Sequence, residues 1–243
     1  MAESLLTSIS DPSMVRNMLA IDTVTDVCSI AVSSNGQTYQ ITETGQKNHS
    51  RKILGMVSKA LSHFSLEVAD IDDIVVDTGP GSFTGVRIGL GIAQGLAYAL
   101  GIKVHEVCSL EVLAQAAGQG LILPAMDARM GQVYYGLYDV SEGQCPKLLS
   151  EVTVVDPMNV SVPQGKCFTA IGNGWLVYDS EMRSAVGAEW TKTASNDFPE
   201  ARYGIEIAAR RTAASVVNAT DLSAFYVRNQ VAKKMVSRPA NRS

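Results

Sequence analysis

MLAIDTVTDVCSIAVSSNG (18–36) and LILPAMDARMGQVYYGLYDVSEG (121–143) decide the fold when read side by side. In the first, the apolar run Met18-Leu19-Ala20-Ile21 stops at Asp22, and Val27–Val32 follows as the next run. Asn35-Gly36 is a hairpin turn signal, and Thr38–Thr42 returns as a third strand. This predicts an antiparallel meander with Asp22-Thr23-Val24-Thr25 in its first turn. In the second stretch Leu121–Met126 stops at Asp127, Val133–Tyr138 is the next strand, and Glu142-Gly143 the next turn. Asp22 to Gly36 spans 14 residues and Asp127 to Gly143 spans 16, with the two aspartates 105 residues apart. A strand–Asp–turn–strand–turn motif that occurs twice points to a duplicated α/β fold of two lobes.

Between the copies, His49–Phe64 reads as a helix. Ile53, Leu54, Met56, Val57, Ala60, Leu61 and Phe64 recur at the spacing of one helical face. Ile71–Asp77 reads as a buried strand, and Gly79-Pro80-Gly81-Ser82-Phe83-Thr84-Gly85 as a loop. Val86–Leu100 is helix-length, with Arg87 its only charge. Gly85, Gly89, Gly91 and Gly95 each cost about 1 kcal/mol of helix propensity relative to Ala, which suits a site where another backbone comes close. Val104–Val107 reads as a strand and Leu110–Ala117 as a short helix. Beyond the second copy, Glu151–Val155 and Phe168–Ile171 read as strands, and about 174–184 and 203–217 as helices.

The chain has 243 residues, 46% hydrophobic and 18% charged, which excludes a disordered protein. Two lobes are expected, 18–103 and 104–234, between a flexible leader (1–17) and a basic flexible tail (235–243). The leader lacks the basic start and apolar run of a secretory signal. No stretch reaches membrane-spanning length, 86–100 coming nearest. Cys28, Cys108, Cys145 and Cys167 have no close pair spacing, which fits a reducing, cytoplasmic location. Net charge is −4; the segment after Tyr226 sums to +5 and residues 1–17 to −1, so the body carries −8. An acidic body excludes a protein built around phosphate attraction, though not one whose partner supplies the basic surface.

The candidate chemistry is sparse. A strand running into a glycine loop and a helix can present N–H groups to a phosphate, with Gly81, Ser82 and Thr84 as contacts. Neither GxxxxGK[ST] nor GxGxxG is present in register, so a tight turn before a buried helix explains the loop equally well. Asp22, with Thr23 beside it, and Asp127 are either a pair facing a nucleotide or metal across an interlobe cleft, or ordinary turn aspartates. His49, His63 and His105 have no metal-ligand spacing, and no GxSxG elbow marks a nucleophile. The two apolar helices, 49–64 and 86–100, are core or a protein–protein seam.

MLAIDTVTDVCSIAV (18–32), GPGSFTGVRIGLGIAQGLAYALGI (79–102), SLEVLAQ (109–115), MDARMGQVYYGLY (126–138) and YVRNQVAKK (226–234) together resemble the bacterial TsaB (YeaZ) family. The resemblance implies the actin-like, Hsp70-like ATPase (ASKHA) fold, with two duplicated lobes of mixed sheet flanked by helices. It also implies a non-catalytic subunit that binds its paralogue, the transferase TsaD, together with TsaE. These make N6-threonylcarbamoyladenosine in tRNAs reading ANN codons, from an adenylate supplied by TsaC. No cofactor is required, ATP or ADP is possible at the complex, and tRNA is met only within it. Without TsaD, the same helices are expected to form a homodimer.

In TsaD-like relatives the segment after the buried helix resembles V-N-H-x-E-x-H, whose histidines bind the catalytic metal. Here Ser109 and Leu113 stand at those positions, so no metal site is expected. The implied partner surface is Ile53, Leu54, Val57, Leu61, Gly91, Gln94, Gly95 and Tyr98. Where the family shows Pro-x-Tyr-Leu-Arg-Asn, this chain has Ala224-Phe225-Tyr226-Val227-Arg228-Asn229. Residues 140–200 match little. A phosphotransferase or ATPase using Asp22 and the glycine loop is the alternative, and a glycoprotease-like peptidase ranks last.

Overall fold

In the computed structural model, which describes residues 16–45, 49–187, 190–192, 197–211 and 215–227, the opening meander forms as the sequence predicts. The strands are β1 (Met18–Asp22), β2 (Val27–Ser34) and β3 (Gln37–Thr44). Asn35 and Gly36 both take left-handed φ, 51° and 76°, the conformation a two-residue hairpin turn needs. β4 (Asp73–Asp77) lies parallel to β1, β5 (Lys103–Val107) parallel to β4, and β13 (Val216–Val217) antiparallel to β5. The six-stranded order is β13-β5-β4-β1-β2-β3.

Side-chain alternation along β1 gives this sheet two buried faces. Leu19 and Ile21 meet α1 (His49–His63) and α2 (Phe83–Leu100) on one face. Met18 and Ala20 meet α6 (Ala201–Arg210) on the other.

The second sheet contains β6 (Gly120–Asp127), β7 (Val133–Tyr135), β8 (Tyr138–Val140), β9 (Lys147–Leu148), β10 (Thr153–Val155), β11 (Phe168–Ile171) and β12 (Trp190–Lys192). β6 pairs antiparallel with β7 and parallel with β11, as β1 does with β2 and β4. The repeat read in the sequence is therefore a repeat of strand pairing. The remaining helices are α3 (Ser109–Ala117), α4 (Gly174–Val177) and α5 (Asp179–Val186). Trp175 is fully buried under this sheet and donates its indole N–H to the Leu123 carbonyl at 3.0 Å. Among the described residues no helix is long and apolar enough to cross a membrane.

Several expectations are corrected. The boundary at 103/104 falls at the start of β5, which belongs to the first sheet, and α6 and β13 return to that sheet from the far end of the chain. Arg16 and Asn17 are not part of a free leader: Arg16 pairs with Asp73 at 2.7 Å, and the Asn17 N–H donates to Asp72 at 2.8 Å. Residues 1–15 and the tail 235–243 lie outside the described residues. Val133–Tyr138 is two strands, broken where Gly136 passes 3.2 Å (from its would-be Cβ) from the Leu148 side chain and Leu137 donates to Ser150. The helix expected over 174–184 breaks at Tyr178 (φ −127°, ψ 36°). The helix expected over 203–217 ends at Arg210, because Arg211 turns extended and β-branched Val216-Val217 pair with β5 instead.

Three expected interface residues face inward. Ile53, Val57 and Leu61 are buried in the core against the sheet. Amphipathic periodicity identifies a stripe, and the sheet is what covers this one. Leu54, between them in sequence, is 59% exposed. Accordingly, Ile53→Ala should destabilise the protein by about 2–4 kcal/mol, while Leu54→Ala should change stability by less than about 0.5 kcal/mol. Urea unfolding followed by circular dichroism measures both.

Candidate functional site at the glycine loop and the outer face of helix α2

A tight backbone constraint lies where α2 begins. The Ser82 N–H donates to the Val24 carbonyl at 2.7 Å, and the Thr23 hydroxyl donates to the Gly85 carbonyl at 2.7 Å. A Cβ at Gly81 would lie 2.4 Å from the Val24 carbonyl oxygen, and one at Gly85 2.1 Å from that of Thr23. A Cβ at Gly89 would lie 2.6 Å from the Thr23 hydroxyl. These glycines are required because the helix backbone rests directly on the β1–β2 turn. Ser82 caps α2 by accepting from the Gly85 N–H at 3.3 Å. Of the phosphate-contact candidates, Thr23 is buried and engaged, Gly81 is packed on Val24, and only Ser82 and Thr84 are exposed.

Asp22 is sealed beneath this contact, 2% exposed. Its neighbour is Asp77 rather than Asp127, because the parallel register of β1 and β4 sets their last residues side by side. Asp22 accepts from the Val24 N–H at 3.2 Å; Asp77 accepts from the Gly79 N–H at 2.8 Å and the Ser109 hydroxyl at 2.7 Å. Each carboxyl keeps one oxygen without a protein donor. Burial first, then the facing Asp77, pushes Asp22 well above the ordinary carboxyl range. Burial also pushes Asp77 up to about 7, against the donors that favour its charged form. A single proton held between the two satisfies both free oxygens.

Asp127 stands apart, at a cleft of about 390 Å³ between the lobes that is also lined by Thr25, Asp26, Phe83 and Asn173. It accepts from the Arg129 N–H at 2.9 Å and the Tyr178 hydroxyl at 3.1 Å. The Arg129 guanidinium lies 3.5 Å from Asp127 and 3.9 Å from Asp26 on the other side of the cleft. The expected Asp22–Asp127 pair is thus not brought together.

Sequence reasoning missed Asp77, although its signal was present: an apolar strand ending in Asp, as at Asp22. It also missed Arg211, which grips both Glu111 oxygens at 2.7 and 2.6 Å from the far side of the chain. Burial raises Glu111, and Arg211 opposes that rise. Beside Glu111, Ser109 and Leu113 are fully buried, the first bonded to Asp77 and the second packed in the core.

The outer face of α2 is the reverse of its inner one. Phe83 is 58% and Tyr98 75% exposed, with Arg87, Gly91, Gln94 and Gly95 exposed between them. Among the described residues a Cβ at Gly91 or Gly95 would meet nothing within 4 Å, so no contact among them requires either glycine. The Gln94 amide donates to the Ala219 carbonyl at 2.8 Å, which ties the C-terminal segment to the helix.

The comparisons with known proteins agree on one family. The chain is 31% identical over 231 residues to the Haemophilus influenzae protein named tRNA threonylcarbamoyladenosine biosynthesis protein TsaB, covering 89% of this chain and 95% of that relative. The chain belongs to the TsaB (YeaZ) family. The Escherichia coli TsaB protein is 42% identical over 129 residues, 51% of this chain and 56% of that relative. The structure of YeaZ from Pseudomonas aeruginosa superposes with a TM-score of 0.78 at 33% identity, covering 87% of this chain and 99% of that one. The family model described as TsaD, tRNA N6-adenosine threonylcarbamoyltransferase, matches residues 37–231. The fold is accordingly the actin-like ASKHA type, two lobes of mixed sheet flanked by helices.

Within this TsaB-family fold the two sets of glycines separate by experiment. Gly81→Ala and Gly85→Ala should each cost about 3 kcal/mol or more, whereas Gly91→Ala and Gly95→Ala should stabilise by about 0.5–1 kcal/mol in thermal or urea unfolding.

The acid pair makes stability fall with pH. Unfolded Asp titrates near about 3.9, while in the folded state burial pushes Asp77 up to about 7 and Asp22 well above the ordinary carboxyl range, so the folded state binds more protons from about pH 4 upward. Stability contributed by the pair is full below the lower value and lost as pH rises through the upper one. Asp22→Asn keeps a donor toward Asp77 and removes one of the two raised carboxyls, leaving the titration of Asp77. It should raise the melting temperature above about pH 7 and flatten its decline from about pH 4.

Proposed function

We propose that this chain is a non-catalytic scaffold and activator subunit that binds a TsaD-type transferase, together with TsaE, in the cytoplasm. In that assembly it supports N6-threonylcarbamoyladenosine formation in tRNAs reading ANN codons. The observation that carries the reading is the outer face of α2, where Gly91 and Gly95 bare the backbone beside exposed Tyr98 with nothing among the described residues requiring it. Two glycines one helical turn apart let a second helix approach closely, and an exposed aromatic beside them is a common interface anchor.

The polar groups near the glycine loop support the non-catalytic part. Ser109, at the first histidine position of the TsaD-like pattern, donates to Asp77, and Leu113, at the second, is buried core. Asp22 and Asp77 are sealed from the cleft, and the loop's Ser82 N–H is bonded to Val24. The chain itself requires no cofactor in this reading, and ATP or ADP belongs to the assembled complex. The same face serves a homodimer when the transferase is absent, through Leu54, Gly91, Gln94, Gly95 and Tyr98.

Co-purification with the TsaD paralogue tests the reading. Gly95→Glu and Tyr98→Glu should weaken the complex at least about tenfold and slow tRNA modification in the reconstituted system, with little change in the melting temperature. Unchanged affinity in both variants contradicts it.

A further inference from the structure

Between the first sheet and the start of α6 lies a cavity of about 10 Å³, lined by Asp22, Val75, Asp77, Val107, Glu200 and Gly204. That is room for one water molecule. Two of its walls are the acid pair. Asp22 and Asp77 are each 2% exposed, and Oδ2 of each has no protein donor. A proton shared between the two gives each of these oxygens one hydrogen bond, and a carboxyl oxygen has capacity for two. A third polar wall is Glu200, whose Oε2 accepts from the Gln40 amide at 2.8 Å and pairs with the Arg202 Nε at 3.0 Å.

Gly204 supplies the second observation. It is buried inside α6, where glycine is a poor helix former beside alanine. A Cβ at this position would lie 3.4 Å from the Val75 side chain and 3.6 Å from that of Val107, ordinary van der Waals distances. Gly81, Gly85 and Gly89 are needed because a Cβ would strike an oxygen of the β1–β2 turn, and no such collision protects Gly204. Val75 and Val107 are themselves walls of the cavity, so an alanine methyl would take up part of its space. In a purely apolar void that methyl would improve both packing and helix propensity. Cavities that stay empty have apolar walls, whereas this one has two buried acid oxygens with bonding capacity to spare.

We propose that the cavity is a hydration site for a single buried water molecule, which donates one hydrogen bond to Asp22 Oδ2 and the other to Asp77 Oδ2, and that residue 204 is glycine to leave room for it. The water completes the second bond of each oxygen. It also joins the ends of β1 and β4 to the start of α6, which reaches this sheet from the far end of the chain. The site stands whether or not the chain binds a transferase.

High-resolution crystal structures of the full chain and of Gly204→Ala, with urea unfolding of both, test the site. The wild-type crystal should show one water within hydrogen-bond distance of both Oδ2 atoms, and the variant none. Gly204→Ala should lower the folding equilibrium constant about tenfold, because the acid oxygens lose a bond they cannot replace. Helix propensity alone would raise it about fivefold. A dry cavity in the wild-type crystal overturns the proposal, and so does a Gly204→Ala protein that is more stable than wild type. Should Gly204→Ala fail to fold, the wild-type crystal alone decides.

Discussion

The backbone contact between the Thr23-Val24 turn and the first two turns of α2 governs the rest of the site. Three glycines at 81, 85 and 89 are needed because carbonyl and hydroxyl oxygens of that turn occupy the space a Cβ would take. The contact closes the ground above Asp22 and Asp77 and engages the Ser82 N–H. It also fixes which side of α2 faces the sheet. With that side committed, Phe83, Arg87, Gly91, Gly95 and Tyr98 are left on the surface.

The buried polar groups follow from the same closure. Two carboxyls side by side at the ends of parallel strands, with little water, cannot both be charged at small cost, so they share a proton. Glu111 is a buried acid of another kind: one guanidinium nitrogen of Arg211 donates to both of its oxygens and opposes the rise that burial causes. Neither arrangement leaves a group directed at a substrate. The surface proposed for the partner lies instead on the outside of the first lobe, where side chains that would lower the free energy by burial remain exposed.

The meander and its repeat were legible because strand alternation and a two-residue turn are local signals, and both copies end an apolar run at an aspartate. The side of a helix that serves a partner is not a local property. Ile53, Val57 and Leu61 form an ideal amphipathic stripe, and such a stripe marks the core before it marks an interface. In α2 the distinction lay in the glycines. Gly81, Gly85 and Gly89 meet another segment while Gly91 and Gly95 meet none, and sequence spacing treats all five alike. The Asp22–Asp77 and Glu111–Arg211 pairs depend on strand register and on the return of the C-terminal segment. Nothing within a short window announces either one. Val216-Val217 shows the same limit, since helical continuation from α6 yields to pairing with β5 only once the first sheet exists.

The central claim is that the working surface is the outer face of α2 and not the cleft between the lobes. Amide hydrogen exchange of the full chain, with and without the TsaD paralogue, tests it most directly. The account predicts added protection over α2 (83–100) and the 219–227 segment that packs on it, with the cleft turns at 24–26 and 126–132 unchanged. Protection concentrated in those cleft turns, with α2 unaffected, would contradict it.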